Sequence, residues 1–363
     1  MVKFQVLPVM STMKAALVKT LGLVHDSDIL EIVEDYPRPS RGKGQVLVRV
    51  LTCATSAGDM HVMSGRVSFA ITPPSFPYIP GSSVCGVVEE ADPEAEFKLG
   101  DRVIAHMGMK PWGALAEYAV FEARNCVLAP ESISDEVASA CGDSAATALK
   151  AVELAGVKEG HRVLVLGGSG GVGSCCVQLA KIAGASFVAA TSTQVKLLEE
   201  ELKADRAINY KEVDWWSIAE FQEQPFDCII DCVGGGGHFG KAGANRVLKS
   251  GGSGGKFIAV VGDEPEPIIH NPLQLAGFAS RLLWRSLWTW LWPWSPRYIC
   301  FVTDADSSTI KTILDHMAKD KLLLKVDSSG PYPFTKDGVT AALKLQESHR
   351  AHGKVVIRVN RKG

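Results

Sequence analysis

The chain has 363 residues, 46 % of them hydrophobic and 21 % charged, which is enough for two domains with cores of their own. A formal charge of -2 gives no general reason to expect nucleic acid or an anionic membrane as partner. Nine cysteines without paired C-x-x-C spacing, an odd number, point to free thiols in a reducing compartment.

The opening residues, MVKFQVLPVMST, carry one charge, Lys3, and are interrupted by Pro8. They make a poor secretory signal and a poor Arg-rich transit peptide, so the expected compartment is the cytoplasm. From Met13 the run MKAALV is a short apolar segment, and Ile29 to Val33 is a second. After the breakers Pro37-Arg38-Pro39-Ser40, the valine-rich run Gln45 to Cys53 alternates as a half-buried strand should. Further strands are predicted at Val84 to Glu90, Arg102 to His106 and Ala116 to Phe121, so the first third reads as a small β-rich domain.

From Ser134 the character changes. Asp135 to Leu154 has helical spacing with many alanines, and strands then alternate with helices. Strands are expected at Arg162–Leu166, Ser186–Ala190, Arg206–Ile208, Cys228–Asp231 and Lys256–Val261. The helices between them are the one after the glycines, then Gln194–Leu202, Trp215–Phe221 and Phe239–Leu248. Such alternation implies an α/β fold with a doubly wound parallel sheet and right-handed crossovers. The chain closes with helices at Ser307–Lys319 and Lys336–Glu347 and a strand at Lys354–Val359.

The stretch from Arg162 to Ala185 organises the rest. An apolar strand leads at once into the cluster Gly167 to Gly173, and Val177, Leu179, Ala180, Ile182 and Ala183 then recur at helical spacing. Gly168, Gly170 and Gly173 fit G-x-G-x-x-G. The first lets the chain reverse, the second lets backbone approach a pyrophosphate, and the third lets helix and strand pack closely. Phosphate would sit on the free N–H groups of the helix that starts near Gly171. Some twenty residues on, where an acid would accept a ribose hydroxyl of NAD, the chain has Ala190-Thr191-Ser192-Thr193. The missing carboxylate, a hydrogen-bonding Ser192, a positive Lys196 and the hydroxyl of Tyr210 together favour NADPH.

One stretch is unusual: LLWRSLWTWLWPW, from Leu282 to Trp294, holds five of the eight tryptophans. It is too short to span a bilayer and is interrupted by Arg285 and Pro293. Two readings are open. The expected one is a helix packed in an interdomain cleft or a subunit interface; the other is an element lying in a membrane interface.

These pieces, in this order, resemble the zinc-free quinone oxidoreductase branch of the medium-chain dehydrogenase/reductase superfamily, from Met13 to Val359. The matching motifs are MKAALV, GQVLVRV with Asp59 and Ser64-Gly65 downstream, FPYIPGSSVCGVV, LGDRV, ALAEYAV, SAATAL, the glycine loop, Ala207-Ile208-Asn209-Tyr210, and HGKVVI. The tail and the Trp-rich region also resemble, more weakly, the reticulon-interacting members. The resemblance implies a GroES-like β-rich catalytic domain over 13–135, completed by 321–363, and a Rossmann dinucleotide-binding domain over 136–320. It implies NADPH in the cleft between them, a homodimer, and cofactor contacts along the glycine loop, Gly168, Ser169, Gly170, Gly171, Val172 and Gly173. Thr147, Cys232, Val233, Gly234, Val260, Val261, Gly262 and Lys354 would border the cofactor by position.

Zinc-bearing relatives place a cysteine where this chain has Ser56 and a His-Glu pair where it has Ser82-Ser83. Serine hydroxyls are poor zinc ligands, so no metal is expected. Without a Lewis acid the chemistry should suit an acceptor that is already electrophilic, a quinone or an α,β-unsaturated carbonyl, whose developing oxyanion needs only hydrogen bonds and a proton. Ser56, where the branch commonly has asparagine, and His61, where it has tyrosine, are the candidates to touch cofactor or substrate; Asp59 holds their loop and Tyr78 is a weaker candidate. Two rival readings stand beside this one: a non-catalytic NADPH-binding sensor or interaction protein, and an enoyl-thioester reductase.

Overall fold

The computed structural model describes residues 11–25, 28–108, 110, 112–303 and 306–360. The first ten residues, which include most of the opening segment considered above as a leader, lie outside them.

An antiparallel pair, β1 (Thr12–Val18) and β2 (Leu30–Pro37), opens the chain. Next come β3 (Gln45–Ala54), the short helix α1 (Ala57–Met63), β4 (Ser83–Glu90), β5 (Arg102–His106), β6 (Tyr118–Glu122) and β7 (Cys126–Leu128). β3 pairs antiparallel with both β4 and β6 and is buried almost throughout, not on one face only. Its alternation understated this because sheet neighbours and the core of Val46, Val48, Val50 and Cys53 enclose it. Helix α1 has no counterpart among the sequence expectations: seven residues carry too little periodicity, and a capping box at Ser56 and Asp59 holds it instead.

The predicted helix over 135–154 is a composite. α2 (Asp135–Ala140) and α3 (Ala146–Ala155) are joined by a single π-helical turn, Cys141–Ala145. The second sheet is parallel, with strands β8 (Arg162–Leu166), β9 (Phe187–Thr191), β10 (Arg206–Ile208), β11 (Cys228–Asp231), β12 (Lys256–Ala259) and β13 (Arg297–Cys300) in the order β10-β9-β8-β11-β12-β13. Strand β13 was not anticipated; it is four residues long and directly follows the tryptophans. Helix α4 (Gly171–Ile182) follows β8 and buries Cys175, Cys176, Val177, Leu179 and Ala180 against the sheet.

Elsewhere the helices are shorter than their periodicity suggested. The 215–221 segment divides into a 3-10 turn, Trp215–Ser217, and α5 (Ala219–Glu223). α6 (His238–Ala244) stops early because Val247 and Leu248 run beside Phe226 and bond to it. The Trp-rich stretch belongs to α7 (Pro272–Leu291), a helix that lies on the surface and not in a cleft. After α8 (Ser307–Ala318) come β14 (Tyr332–Pro333), α9 (Lys336–Glu347) and β15 (Val356–Arg358), and β15 pairs antiparallel with β3. The chain end therefore returns to the first sheet, and residues 351–355 are drawn across the end of the parallel one.

Candidate active site

In the parallel sheet the strand order reverses between β8 and β11, and the loops leaving their carboxyl ends open a crevice there, the usual ligand position in such sheets. The first loop is the glycine cluster. A Cβ on Gly168 would lie 2.7 Å from Ala190 Cβ, and one on Gly173 would lie 2.1 Å from the Gly167 carbonyl, so both glycines are required by close packing. Gly170 differs: a Cβ there would meet only the Gly167 carbonyl, at 3.6 Å. The helix behind it begins at Gly170 without a side-chain cap, leaving the N–H groups of Gly171, Val172 and Gly173 for a ligand. An anionic pyrophosphate fits this cradle.

Around the loop, Thr191 Oγ1 accepts from Gly167 N–H at 3.0 Å, and Ser192 Oγ donates to Ser169 Oγ at 2.7 Å. Ser192 is buried and its hydroxyl points into the turn, while Lys196 stands exposed one turn further on with no ion pair among the described residues. Tyr210, following β10, is exposed as well. Across the crevice Asp231 organises the second loop. Its Oδ1 accepts from the N–H groups of Val233 and Gly234, both at 3.0 Å, and its Oδ2 meets His238 Nδ1 at 2.9 Å. Cys232 is half-buried and Val233 exposed, and a Cβ on Gly234 would collide with the Gly262 carbonyl at 2.5 Å. Cys232–Gly234 and Val260–Gly262 therefore form one wall. Thr147 lies in the first turn of α3, half-buried.

The opposite wall is made of ionisable side chains. The Asp59 carboxylate accepts from Ser56 N–H at 2.7 Å, from Ser56 Oγ at 3.0 Å and from Gly81 N–H at 2.9 Å, tying α1 to the loop before β4. Burial raises its carboxyl to about 6 against the three hydrogen bonds, and the nearby Asp143 charge adds to the rise. Ser56 is thus first of all the cap of α1. Burial lowers the His61 imidazole, helped by His349 and Arg66 and opposed by Glu266. The Tyr78 hydroxyl is buried and finds no hydrogen-bond partner among the described residues, and burial with the Asp59 charge pushes it well above its ordinary range. An orphaned polar atom of this kind calls for a ligand or a water.

Lys354, from the returning tail, is buried, pairs with Asp143 and donates to Ser144 Oγ at 3.1 Å. Burial pushes the Asp143 carboxyl up, but the Lys354 ammonium outweighs it and holds the group below its ordinary value. Ser144 also touches the glycine loop: a Cβ on Gly171 would sit 2.9 Å from Ser144 Oγ. Asp143 and Ser144 were not foreseen as site residues. They sit on the π-helical turn, a feature that recurs at functional sites, and the only sequence sign of it is Gly142-Asp143-Ser144 breaking an alanine-rich helix. His106, beside Gly142, was missed too. A cavity of about 1000 Å³ opens next to it, lined also by Ile79, Met107, Trp112 and Tyr118.

At Ser56 and Ser83, where the resemblance would put zinc ligands, the side chains are otherwise engaged. Ser56 is spent on the α1 cap and Asp59, Ser83 Oγ donates to the Ser139 carbonyl at 2.7 Å, and no three His, Cys, Asp or Glu side chains among the described residues gather to hold an ion.

Residues 42–131 match the alcohol dehydrogenase GroES-like domain, and residues 202–357 match a zinc-binding dehydrogenase domain. The chain is 32 % identical over 339 residues to a 2-methylene-furan-3-one reductase of Solanum lycopersicum, and 30 % identical over 339 residues to an NADPH-dependent alkenal/one oxidoreductase of Arabidopsis thaliana. Each match spans 91 % of this chain and 76 % of the relative. A human quinone oxidoreductase is 32 % identical over 57 % of this chain and 63 % of its own. In fold, the quinone oxidoreductase of Coxiella burnetii superposes with a TM-score of 0.75 at 24 % identity, covering 96 % of this chain and all of the other. A mycobacterial protein complexed with NADPH gives a TM-score of 0.72 at 23 % identity, again over 96 % of this chain and 100 % of the other.

Proposed function

Because the chain belongs to the medium-chain dehydrogenase/reductase superfamily of oxidoreductases, we propose that it is an NADPH-dependent, zinc-independent reductase of quinones or α,β-unsaturated carbonyls. One observation carries the reading: an uncapped glycine cradle lies near buried Asp59, Tyr78 and Lys354, with no set of three metal donors among the described residues. Of the relatives, the two matched over most of their length are named a 2-methylene-furan-3-one reductase and an NADPH-dependent alkenal/one oxidoreductase, and a third a quinone oxidoreductase.

Bound NADPH supplies the hydride. The N–H groups of Gly171 to Gly173 would hold its pyrophosphate, Lys196 would offer a cation to a 2′-phosphate, and Cys232–Gly234 with Val260–Gly262 would border it. Reduction of such an acceptor would leave negative charge on its oxygen. The unpartnered Tyr78 hydroxyl, and the Lys354 N–H left after those given to Asp143 and Ser144 Oγ, would be the donors for that oxygen, with His61 as the candidate proton carrier.

The test is oxidation of NADPH and NADH, followed by nicotinamide absorbance, with a benzoquinone, a naphthoquinone, an ortho-quinone, an alkenal and a crotonyl thioester. Turnover of a quinone or the alkenal, faster with NADPH, is expected. Turnover of the thioester alone makes the protein an enoyl-thioester reductase, and tight NADPH binding without any turnover makes it a sensor or interaction protein.

A further inference from the structure

Helix α7 is built inside out. Its inner face is Leu282, Arg285, Ser286 and the buried Thr289, whose hydroxyl accepts from the Tyr298 N–H of edge strand β13 at 3.1 Å. Its outer face is Leu283, Trp284, Leu287, Trp288, Trp290 and Leu291, continued by Trp292 and Trp294, all exposed. At 100° per residue the outer helical positions fall within an arc of about 160°. The five tryptophans are between 45 % and 73 % exposed, and Trp284, Trp288 and Trp292 stack in a ladder with centroids 6.0 and 5.1 Å apart. Half of roughly 200 Å² from each indole gives about 500 Å² before the leucines are counted, at the upper end of what a soluble monomer leaves uncovered. The apolar band does not stop at the helix. Exposed Leu273 and Ile268 carry it to Phe69, whose N–H bonds to the Ile269 carbonyl at 3.0 Å.

We propose that this face docks the protein on an anionic lipid surface, with α7 lying in the plane of the headgroups. Three observations select a bilayer as the occupant. Five of the eight apolar residues on the outer face and its continuation are tryptophan, whose ring suits the apolar side of the interface and whose N–H suits the headgroups. From Pro267 to Thr303 the sequence has no acid and three arginines. Arg281 and Arg285 are matched by Glu264 and Asp263, but Arg297 and Arg246, exposed at the Trp294 end, have no ion pair among the described residues, so the patch carries a positive margin. No helix among the described residues is long and apolar enough to cross a membrane, so the contact is one of lying on the surface. A second copy adding its strand to the sheet is the less favoured occupant, because Thr289 already takes the Tyr298 N–H on the open side of β13.

The proposal does not depend on the acceptor or on turnover, and its test reads lipid alone. The full chain is sedimented with phosphatidylcholine vesicles, with and without phosphatidylglycerol, and its tryptophan emission is recorded with and without brominated lipid. Binding on the order of tenfold tighter to the anionic vesicles is expected, with quenching by the brominated chains and weakening in high salt. A Trp284→Ser/Trp288→Ser variant, which changes only exposed side chains, should lose most of this binding and keep its NADPH affinity by calorimetry. A chain that stays in the supernatant with both vesicles overturns the proposal. So does a two-chain mass by light scattering that the double variant halves, because the face is then an interface between copies.

Discussion

The two walls of the crevice are built on different principles. The wall under the cofactor is backbone: Gly168, Gly171 and Gly173 are there because a Cβ would strike a neighbour, and what the start of α4 offers is the unpaired N–H groups of Gly171 to Gly173. The wall across from it is side chains: Asp59, Tyr78, Asp143 and Lys354 are buried or half-buried charges and hydroxyls, most with ionisation displaced from the ordinary. A backbone wall tolerates almost any pH and almost no added carbon. A wall of buried charge tolerates modest changes of shape and responds to every proton.

The sharpest way to break the comparison is to put a Cβ into the backbone wall at two places. In Gly173→Ala the new carbon would be 2.1 Å from the Gly167 carbonyl and 3.0 Å from Gly168 Cα, so backbone must move. Thermal stability should fall, and NADPH affinity by calorimetry should drop roughly 100-fold or more. Gly170→Ala meets only an ordinary 3.6 Å contact at φ -73°, so the apo protein should melt as before. Its NADPH affinity should still fall roughly tenfold, because the face that Cβ occupies is the one the pyrophosphate needs. A Gly170→Ala variant with undiminished affinity would show that the cradle is only a turn.

The side-chain wall is tested by pH. Asp59 in the folded chain ionises at about 6, against an ordinary value of 3.8. Between those values the native state holds a proton that the unfolded chain has released, so stability falls as pH rises through the window. The fall from this one group is roughly 3 kcal/mol. Asp143 has its displacement in the opposite direction and acts at lower pH, outside this window. Urea unfolding across the range should therefore show Asp59→Asn gaining on the wild-type protein by about that amount as pH rises from 4 towards 7. Parallel stability curves for the two proteins would place the Asp59 carboxylate in a solvated setting that its hydrogen bonds do not suggest.

The backbone wall was legible in the sequence and the side-chain wall was not, for a physical reason. A glycine loop between a strand and a helix is a local pattern, complete within Arg162 to Ala185, and its position at the β8/β11 reversal follows from the alternation of elements. Asp143 meets Lys354 across 211 positions of chain and through a π-helical turn that has no periodicity of its own. Ser56 and Asp59 were noticed by resemblance, yet that Ser56 caps a seven-residue helix depends on a capping box that periodicity does not register. The Trp-rich stretch was visible as composition, but the direction in which α7 turns its tryptophans is decided by Thr289 fitting the β13 edge.

The smallest effect is expected where the two walls meet solvent. Lys196 is exposed, so its attraction for a 2′-phosphate is that of a surface charge pair, on the order of 1 kcal/mol. Lys196→Glu replaces attraction by repulsion and should raise the KM for NADPH about tenfold while changing that for NADH little, because NADH has no phosphate at that point. The difference should shrink as salt is raised, since exposed charges are screened over about 10 Å at 0.1 M. Ser192 cannot substitute for the lysine: its hydroxyl is directed to Ser169 and its N–H to the Ile208 carbonyl at 3.0 Å. If both cofactors suffer equally, the cation acts through the fold of the 192–196 turn, and the preference between them must come from Tyr210 or from the tail at His352, whose Nε2 stands 3.4 Å from Gln194 Nε2 at the same rim.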